Sequence, residues 1–421
     1  MAKNTSIDLR NSVVYQVFVR QFSKTHNFEG LINKINYIKN LGVDYIQLLP
    51  IHPIGVEHRK GTIGSPYSIK DYYEIDPNLG TKEDFKDFIN VAHRNDIKVI
   101  IDIVFNHTSH DAIYTKTHPE WYCHKDDGSF CNRVGDWWDI IDFDFSHQDL
   151  QKELINVLKY WAYAGVDGYR CDVAPLLPLT FWEKARKELQ NVNPDLLFIS
   201  ESVHLGFIKY LRDLGYDAFS DSEMYQQFDV CYDYDICDDL FNYLKGTSTL
   251  EKYRDDLIRQ DSTYPKNYIK LRYLENHDTD RIAKICKNDT ILRNVTAMQY
   301  FLKGMQFIYN GQECGVNKKP DLFEIDEIDF SSYNRAGIAE IMQKMYLLKK
   351  RYNYLNGIMN IELLSKDIIK FTYKINDKEI IGIFNFGDNR TIEIPDGYNI
   401  IEDKNVKAGN VISSDPIVIV K

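Results

Sequence analysis

Short apolar runs alternate with longer segments of helical periodicity along most of this chain, and this rhythm constrains the fold more than any other feature of the sequence. In a sequence, a buried strand of a parallel sheet appears as a short run of apolar residues, whereas a helix appears as a longer amphipathic segment. Their repeated alternation is typical of strand–helix units joined into a parallel sheet. The predicted strands are residues 13–19, 45–49, 98–105, 168–173, 196–200, 218–220, 268–274 and 306–309. Eight units over about 350 residues predict an α/β fold, a (β/α)8 TIM barrel.

Two local signals support the predicted helices. The segment 31–41 has apolar residues on one helical face and ends at Gly42, a residue suited to a helix C-terminus. Thr81 and Asp84 have the spacing of a capping box, which predicts a helix from there to about residue 95.

The alternation of predicted strands and helices is interrupted at two places in the chain. Residues 107–146 lack a periodic element and are rich in Gly, Asp, His and Trp, which predicts a short insertion after the third strand that shapes a site. After about residue 354 short strands separated by turn residues predict a small all-β domain. We therefore predict barrel residues 1–106, an inserted subdomain 107–146, the barrel remainder 147–354 and a C-terminal β-sandwich 355–421.

Charge and composition exclude several function classes. The chain carries 51 Lys and Arg against 62 Asp and Glu, a net charge of −11, which disfavours nucleic acid and anionic membranes as partners. The seven cysteines include no CxxC pair, and the sequence has no signal-like apolar segment and no run of bilayer length. His118, Cys123, His124 and Cys131 match no common zinc spacing. We expect a cytoplasmic protein with a neutral substrate.

The predicted fourth strand carries two charges on one face. Tyr169 and Cys171 alternate with Arg170 and Asp172, and alternate side chains of a strand point to opposite faces. A buried Arg–Asp pair is either a satisfied structural ion pair or part of an active site. This stretch alone leaves both interpretations open.

Polar residues follow several of the predicted strands at the same end. Active sites of TIM barrels lie at the C-terminal ends of the strands. A single Glu after a strand is more often a neighbour of a helix N-cap than a catalyst. Here, however, four strands carry charged residues at the same end. Charges from four strands exceed what structural pairing explains, so we predict a catalytic cluster. Its members are Asp102, Asn106, His107, Arg170, Asp172, Glu201, His277 and Asp278.

These segments resemble, in order, the four signature regions of the α-amylase family of glycoside hydrolases, family 13. The regions are residues 102–107 (Asp-Ile-Val-Phe-Asn-His), residues 168–172 (Gly-Tyr-Arg-Cys-Asp), Glu201 and residues 276–278 (Asn-His-Asp). Residues 64–67 and 304–313 are similar to further family segments. The resemblance implies the same barrel, with an insertion after strand three and a C-terminal β-domain.

The resemblance also implies roles for individual residues. Asp172 would be the nucleophile, Glu201 the general acid and base, and Asp278 the residue that holds sugar hydroxyls and stabilises the distorted ring. The implied reaction is retaining and passes through a covalent glycosyl-enzyme. Arg170 would keep Asp172 ionised, whereas burial would keep Glu201 protonated.

Further side chains are implied to bind the substrate. Tyr67 would stack beneath the sugar ring, and His107 and His277 would donate hydrogen bonds to its hydroxyls. Trp137 and Trp138 form either a cap over the barrel or a wall of the sugar cleft, and we favour the wall.

Calcium is an optional ion rather than a required cofactor in this interpretation. Asn106 matches an asparagine that binds calcium in many relatives, but the Lys-His pair that often follows the nucleophile region is replaced by residues 174–177 (Ala-Pro-Leu-Leu). We expect no tight calcium site here, with Asn106 instead holding the loop through hydrogen bonds. Candidate oxygen ligands in the insertion are Asp126, Asp127, Asp136, Asp139, Asp142 and Asp144.

The sequence therefore predicts a retaining α-glycosidase that hydrolyses malto-oligosaccharides or related α-glucans. An α-glucanotransferase is the main alternative, because a sugar hydroxyl can replace water at the same site. A non-catalytic binding or regulatory relative is the third, and it is disfavoured because Asp172, Glu201 and Asp278 are all present. The preference between α-1,4 and α-1,6 bonds stays open.

Overall fold

A closed barrel of parallel strands forms the centre of the molecule. The computed structural model describes residues 4–421. Neighbouring strands pair in chain order, and the first strand closes the barrel by pairing with the eighth. The strands are β1 (Val13–Val17), β2 (Tyr45–Leu48), β3 (Lys98–Ile103), β4 (Gly168–Cys171), β5 (Leu197–Ser200), β6 (Val230–Tyr232), β7 (Lys270–Arg272) and β8 (Gly304–Tyr309).

Helices follow the barrel strands and cover their outer face. The helix Lys82–Arg94 begins with the predicted capping box, in which Thr81 and Asp84 bond each other's backbone. The predicted helix 31–41 is instead two helices, and the second ends at Gly42 in a left-handed conformation, with φ +90°. The α-helices are Val19–Phe22, Phe28–Ile32, Ile35–Leu41, Lys82–Arg94, Ile113–Thr117, Gln148–Tyr163, Leu179–Leu189, Leu205–Asp213, Asp221–Met224, Cys237–Lys245, Leu250–Thr263, Ile282–Ile285, Asp289–Gln299 and Ile338–Tyr352. Short 3-10 helices are Ile7–Asn11, Pro119–Trp121, Ala174–Leu176, Gln312–Cys314, Arg335–Gly337 and Tyr354–Asn356.

The prediction of the sixth strand at residues 218–220 is wrong. The sixth strand is β6, and Ser220 instead caps the helix Asp221–Met224 through a capping box with Glu223. A Ser followed three residues later by Glu is a helix-start signal, and it outweighed the apolar pair before it. The true strand has only three residues between Asp229 and Asp233, too few for a periodic signal.

The insertion after β3 is a small, mostly irregular segment whose buried aromatic side chains join the main apolar core. Its first two residues pair with residues near its end as a two-residue ladder, His107–Thr108 with Ile141–Asp142. Trp121, Tyr122 and Phe143 are buried within it, and Tyr122 stacks on Phe143. This ladder fixes both ends of the insertion beside the C-terminal end of β3.

The C-terminal part of the chain consists of two antiparallel β-sheets. A six-stranded sheet has the order β9-β10-β11-β16-β13-β14, and a two-stranded sheet, β12-β15, covers an isoleucine-rich cluster with it. The opposite face meets the barrel at Phe301, which is surrounded by aromatic rings. The strands are β9 (Ile358–Ser365), β10 (Ile368–Ile375), β11 (Lys378–Asn385), β12 (Arg390–Ile394), β13 (Gly397–Asn399), β14 (Lys404–Val406), β15 (Gly409–Ser413) and β16 (Ile417–Val420). Within residues 4–421 none of the helices has the length and apolar character that crossing a bilayer requires.

Candidate active site

One buried guanidinium joins three carboxylates, one within β3 and one just after each of β4 and β5. Arg170 on β4 is fully buried, and its Nη1 lies 2.8 Å from Asp172 Oδ1 and 2.9 Å from Asp102 Oδ1. Its Nη2 makes an ion-pair contact of 2.6 Å with Glu201 Oε1. The two charges of the fourth strand are thus an ion pair, and this pair belongs to a cluster that also includes the carboxylate after β5.

The backbone at the end of β4 is bent into an unusual conformation that serves the same cluster. Val173 follows Asp172 directly and has φ +35° and ψ +41°, a left-handed conformation that is rare for a β-branched residue. Its N–H donates a 2.8 Å hydrogen bond to Glu201 Oε2. Backbone strain of this kind costs on the order of 1–3 kcal/mol and persists where surrounding contacts impose it. Here it fixes one carboxylate relative to the other.

The two central carboxyl groups differ in proton affinity. Burial raises the pKa of Asp172 to about 6, although Arg170 acts in the opposite direction. Burial raises the pKa of Glu201 further, to about 7, with Asp172 and Asp278 adding to the rise and Arg170 opposing it. The expectation for Glu201 agrees with this direction. For Asp172, the effect of burial on the pKa is larger than the opposing effect of Arg170, and the neighbouring carboxylate of Asp102 raises the pKa as well.

Tyr67 and His277 form a second contact group beside the first. The Tyr67 hydroxyl donates to Asp102 Oδ2 at 3.0 Å and lies 2.8 Å from His277 Nε2, with the two rings stacked at 5.2 Å. The same Nε2 is 3.0 Å from Asp278 Oδ2. Desolvation works against the charge of Asp278, but the neighbouring His277 lowers the pKa of this carboxyl to about 2. Asp278 therefore stays ionised at neutral pH.

These side chains line one open cleft of about 300 Å³ at the C-terminal end of the barrel. Trp137 forms part of its wall, with its ring 5.9 Å from that of His107. Trp138 is 52% exposed and does not line the cleft, so the insertion contributes one tryptophan to its wall. The predicted site residues that line it are Tyr67, His107, Asp172, Glu201, His277 and Asp278, with Arg170 buried beneath.

Asn106 is held by side chains of the insertion. Its Nδ2 donates to Asp142 Oδ1 at 3.2 Å and lies 3.1 Å from His107 Nδ1, and its Oδ1 accepts from the Arg133 guanidinium. Throughout residues 4–421, no three His, Cys, Asp or Glu side chains are grouped so that they could hold a metal ion.

Tyr234 lies beside the site and was not identified in the sequence. Tyr234 follows β6, and its hydroxyl lies 3.4 Å from Glu201 Oε1 and accepts a 3.0 Å hydrogen bond from Asn276 Nδ2. Tyr234 was not recognised because the sixth strand was predicted in the wrong place. A residue can be assigned to the end of a strand only when that strand is placed correctly. The run Val-Cys-Tyr before Asp233 was the available signal.

The whole barrel has a recognisable counterpart among known proteins. Residues 16–346 match the family described as the α-amylase catalytic domain. The chain belongs to the α-amylase family of glycoside hydrolases. The resemblance of the four signature regions is thereby confirmed, and so is the predicted fold class.

Relatives of this α-amylase family member include crystallised and curated proteins. A crystal structure of an α-amylase from Lactobacillus plantarum has 40% sequence identity and a TM-score of 0.94, covering 99% of this chain and 100% of that one. An intracellular maltogenic amylase of Bacillus subtilis is 24% identical over 86% of this chain and 62% of its own length. An α-1,4-glucan:maltose-1-phosphate maltosyltransferase of Picrophilus torridus is 26% identical over 91% of this chain and 61% of its own length. The chain thus spans less than two thirds of these two curated relatives.

Proposed function

We propose that this family member is a retaining α-glycosidase that hydrolyses α-glucosidic bonds in malto-oligosaccharides or related α-glucans. The observation that carries the proposal is the contact of one buried guanidinium with both Asp172 and Glu201, whose pKa values differ. A retaining mechanism needs its two carboxyl groups about 5–5.5 Å apart, whereas inversion needs about 6.5–9.5 Å. Because Asp172 and Glu201 both contact the guanidinium of Arg170, we expect their carboxyl groups to have the shorter separation.

The proposed reaction has two displacements. Ionised Asp172 attacks the anomeric carbon while protonated Glu201 donates its proton to the leaving oxygen. Glu201, now a carboxylate, then takes a proton from water as that water attacks the glycosyl-enzyme and releases Asp172. Asp278, held ionised by His277, binds sugar hydroxyls and favours the positive charge that develops on the ring.

The substrate is tested with maltotriose, isomaltose, panose, pullulan and starch, with products read by chromatography and the first product anomer read by NMR. We expect maltose or glucose released as the α-anomer. Release of the β-anomer would contradict the retaining mechanism.

Replacing the nucleophile tests the assignment of Asp172. We expect Asp172→Ala to lower kcat by a factor of roughly 10⁴ or more, because the covalent intermediate cannot form. Its circular dichroism spectrum should match that of the unchanged protein. Full activity in this variant would favour the non-catalytic alternative.

Transfer to a sugar acceptor is the second candidate function, and similarity to the maltosyltransferase supports it. Transfer produces oligosaccharides longer than the substrate, and their share grows with substrate concentration because the sugar competes with water. Chromatography at low and high maltotriose separates the two outcomes. Products longer than maltotriose at low concentration would favour the transferase.

We further propose that the protein acts on these sugars in the cytoplasm. Similarity to an intracellular maltogenic amylase supports this location. Cell fractionation with an antibody against the chain tests it, and protein found outside the cells would contradict it.

A further inference from the structure

Arg133 of the insertion donates hydrogen bonds to oxygen atoms of three separate segments. Its Nε donates to Asp142 Oδ2 at 2.9 Å, and its Nη1 donates to the Leu176 carbonyl at 3.4 Å. Its Nη2 donates to Asn106 Oδ1, and its own N–H donates to Asp142 Oδ2 at 2.8 Å. The side chain is only 17% exposed, and the Tyr216 ring lies 6.0 Å from the guanidinium carbon.

These three segments meet at the edge of the catalytic cluster. Asn106 ends the third strand unit and contacts His107, which lines the cleft. Leu176 belongs to the 3-10 helix Ala174–Leu176, which begins two residues after Asp172. Asp142 closes the ladder at the end of the insertion. A positive charge among them joins the insertion to both segments.

The residues do not fit a calcium ion. A calcium site needs about six to eight oxygen ligands at about 2.3–2.6 Å. The Asn106 amide oxygen, the Asp142 carboxylate and the Leu176 carbonyl meet at this place, and each already accepts from Arg133. An ion placed among them would overlap the guanidinium and meet a like charge.

We propose that the Arg133 guanidinium takes the place of calcium as a fixed cation built into the chain. It is a positioning residue, which acts on the cleft through Asn106 and His107 and on the nucleophile segment through Leu176. The folded protein then needs no calcium. Removing the guanidinium leaves three oxygens facing an empty volume, which calcium with bound waters can fill.

Thermal unfolding of the full-length protein tests the proposal without reference to any sugar. The Tm of the unchanged protein should be the same in millimolar EGTA and in millimolar calcium chloride. The Tm of Arg133→Ala should be several degrees lower in EGTA, and calcium should restore a large part of the loss. Arg133→Lys keeps a cation without the planar fork, so it should lose stability and stay insensitive to calcium.

Arg186 provides a matched control. Its guanidinium is 13% exposed and also contacts one carboxylate, Asp229, and one carbonyl, that of Leu196, but it lies outside the insertion. Arg186→Ala should lower Tm to the same degree in EGTA and in calcium. A Tm of the unchanged protein that falls in EGTA would overturn the proposal, as would an Arg133→Ala variant that calcium does not stabilise. A loss of Tm that calcium restores equally in Arg186→Ala would overturn it as well.

Discussion

Asp172 and Glu201 contact the same guanidinium, yet burial raises their pKa values to about 6 and about 7. The proposed mechanism needs Asp172 ionised, so kcat/KM should rise as pH increases through about 6. It also needs Glu201 protonated, so kcat/KM should fall as pH increases through about 7. We expect a narrow bell-shaped profile between these values, measured with maltotriose. An acid limb at the ordinary Asp pKa of about 3.9 would contradict it.

A substrate with a good leaving group separates the two limbs. An α-glucosyl fluoride needs little proton donation, so its alkaline limb should weaken while the acid limb stays. An alkaline limb that stays unchanged with the fluoride would assign that limb to another group.

The raised pKa of Asp172 also predicts how the site affects stability. A carboxyl whose folded-state pKa lies above its unfolded value stabilises the fold at low pH, and this contribution is lost as pH rises through about 6. The ionised carboxylate is therefore unfavourable in the folded protein at pH above that value. We expect Asp172→Asn to increase the free energy of unfolding by about 1–3 kcal/mol above pH 7, and by little near the ordinary Asp pKa of about 3.9.

Urea unfolding at the two pH values measures this difference. The exposed Asp213 gives the control, because Asp213→Asn removes a carboxylate that pairs with Lys209 on the surface of a helix. Destabilisation of Asp172→Asn at high pH would contradict the prediction.

At the scale of elements, β6 contributes to the site through the residue just beyond it. The Tyr234 hydroxyl is 3.4 Å from Glu201 Oε1, where a donated hydrogen bond favours the ionised form. Tyr234→Phe should therefore raise the pKa of Glu201 and move the alkaline limb of the kcat/KM profile upward by a few tenths of a pH unit. The acid limb should not move.

Tyr243→Phe is the comparison variant, since the Tyr243 hydroxyl donates to Asp367 outside the cleft. It should leave both limbs in place. An equal shift of both limbs in Tyr234→Phe would mean that the hydroxyl acts on the whole cluster rather than on Glu201.

Elements marked by more than one signal could be predicted from the sequence, whereas the sixth strand could not. The helix Lys82–Arg94 has both an apolar face and a capping box, so two independent signals agree. The three-residue strand β6 has neither, and its misplacement hid Tyr234. Arg133 was missed for a different reason, because one of its partners is the carbonyl of Leu176, and a backbone group leaves no trace in residue types.

The positions of the charged residues of the site could be predicted from the sequence, but the sizes of their pKa shifts could not. Burial of Glu201 after a strand indicated a raised pKa. The pKa of Asp172 depends on how three carboxylates share Arg170, and this sharing follows from strand register rather than from any one segment.

At the scale of the whole molecule, Phe301 joins the barrel to the C-terminal sheets. It is fully buried just before β8, at the opposite end of the barrel from the cleft, and its ring lies 5.3 Å from Phe384 and 5.3 Å from Tyr354. Phe301→Ala should lower the free energy of unfolding by about 3–5 kcal/mol, because it removes buried apolar surface and leaves a cavity. Urea unfolding measures the loss, and kcat at low temperature should be unchanged.

Ile358→Ala serves as its control, because this side chain is 77% exposed on β9. It should change the free energy of unfolding by less than about 0.5 kcal/mol. A Phe301→Ala loss no larger than that would mean that the two parts unfold independently.

The shared guanidinium of Arg170 limits how the pH optimum of this protein can be engineered. Any replacement of Arg170 affects Glu201 and Asp172, the proposed acid and nucleophile, together and leaves Asp102 without its buried counter-ion. Selection for a new working pH therefore has little freedom at the centre of the cleft. Variant libraries are better directed to neighbours that contact one carboxylate alone, of which Tyr234 beside Glu201 is the first choice.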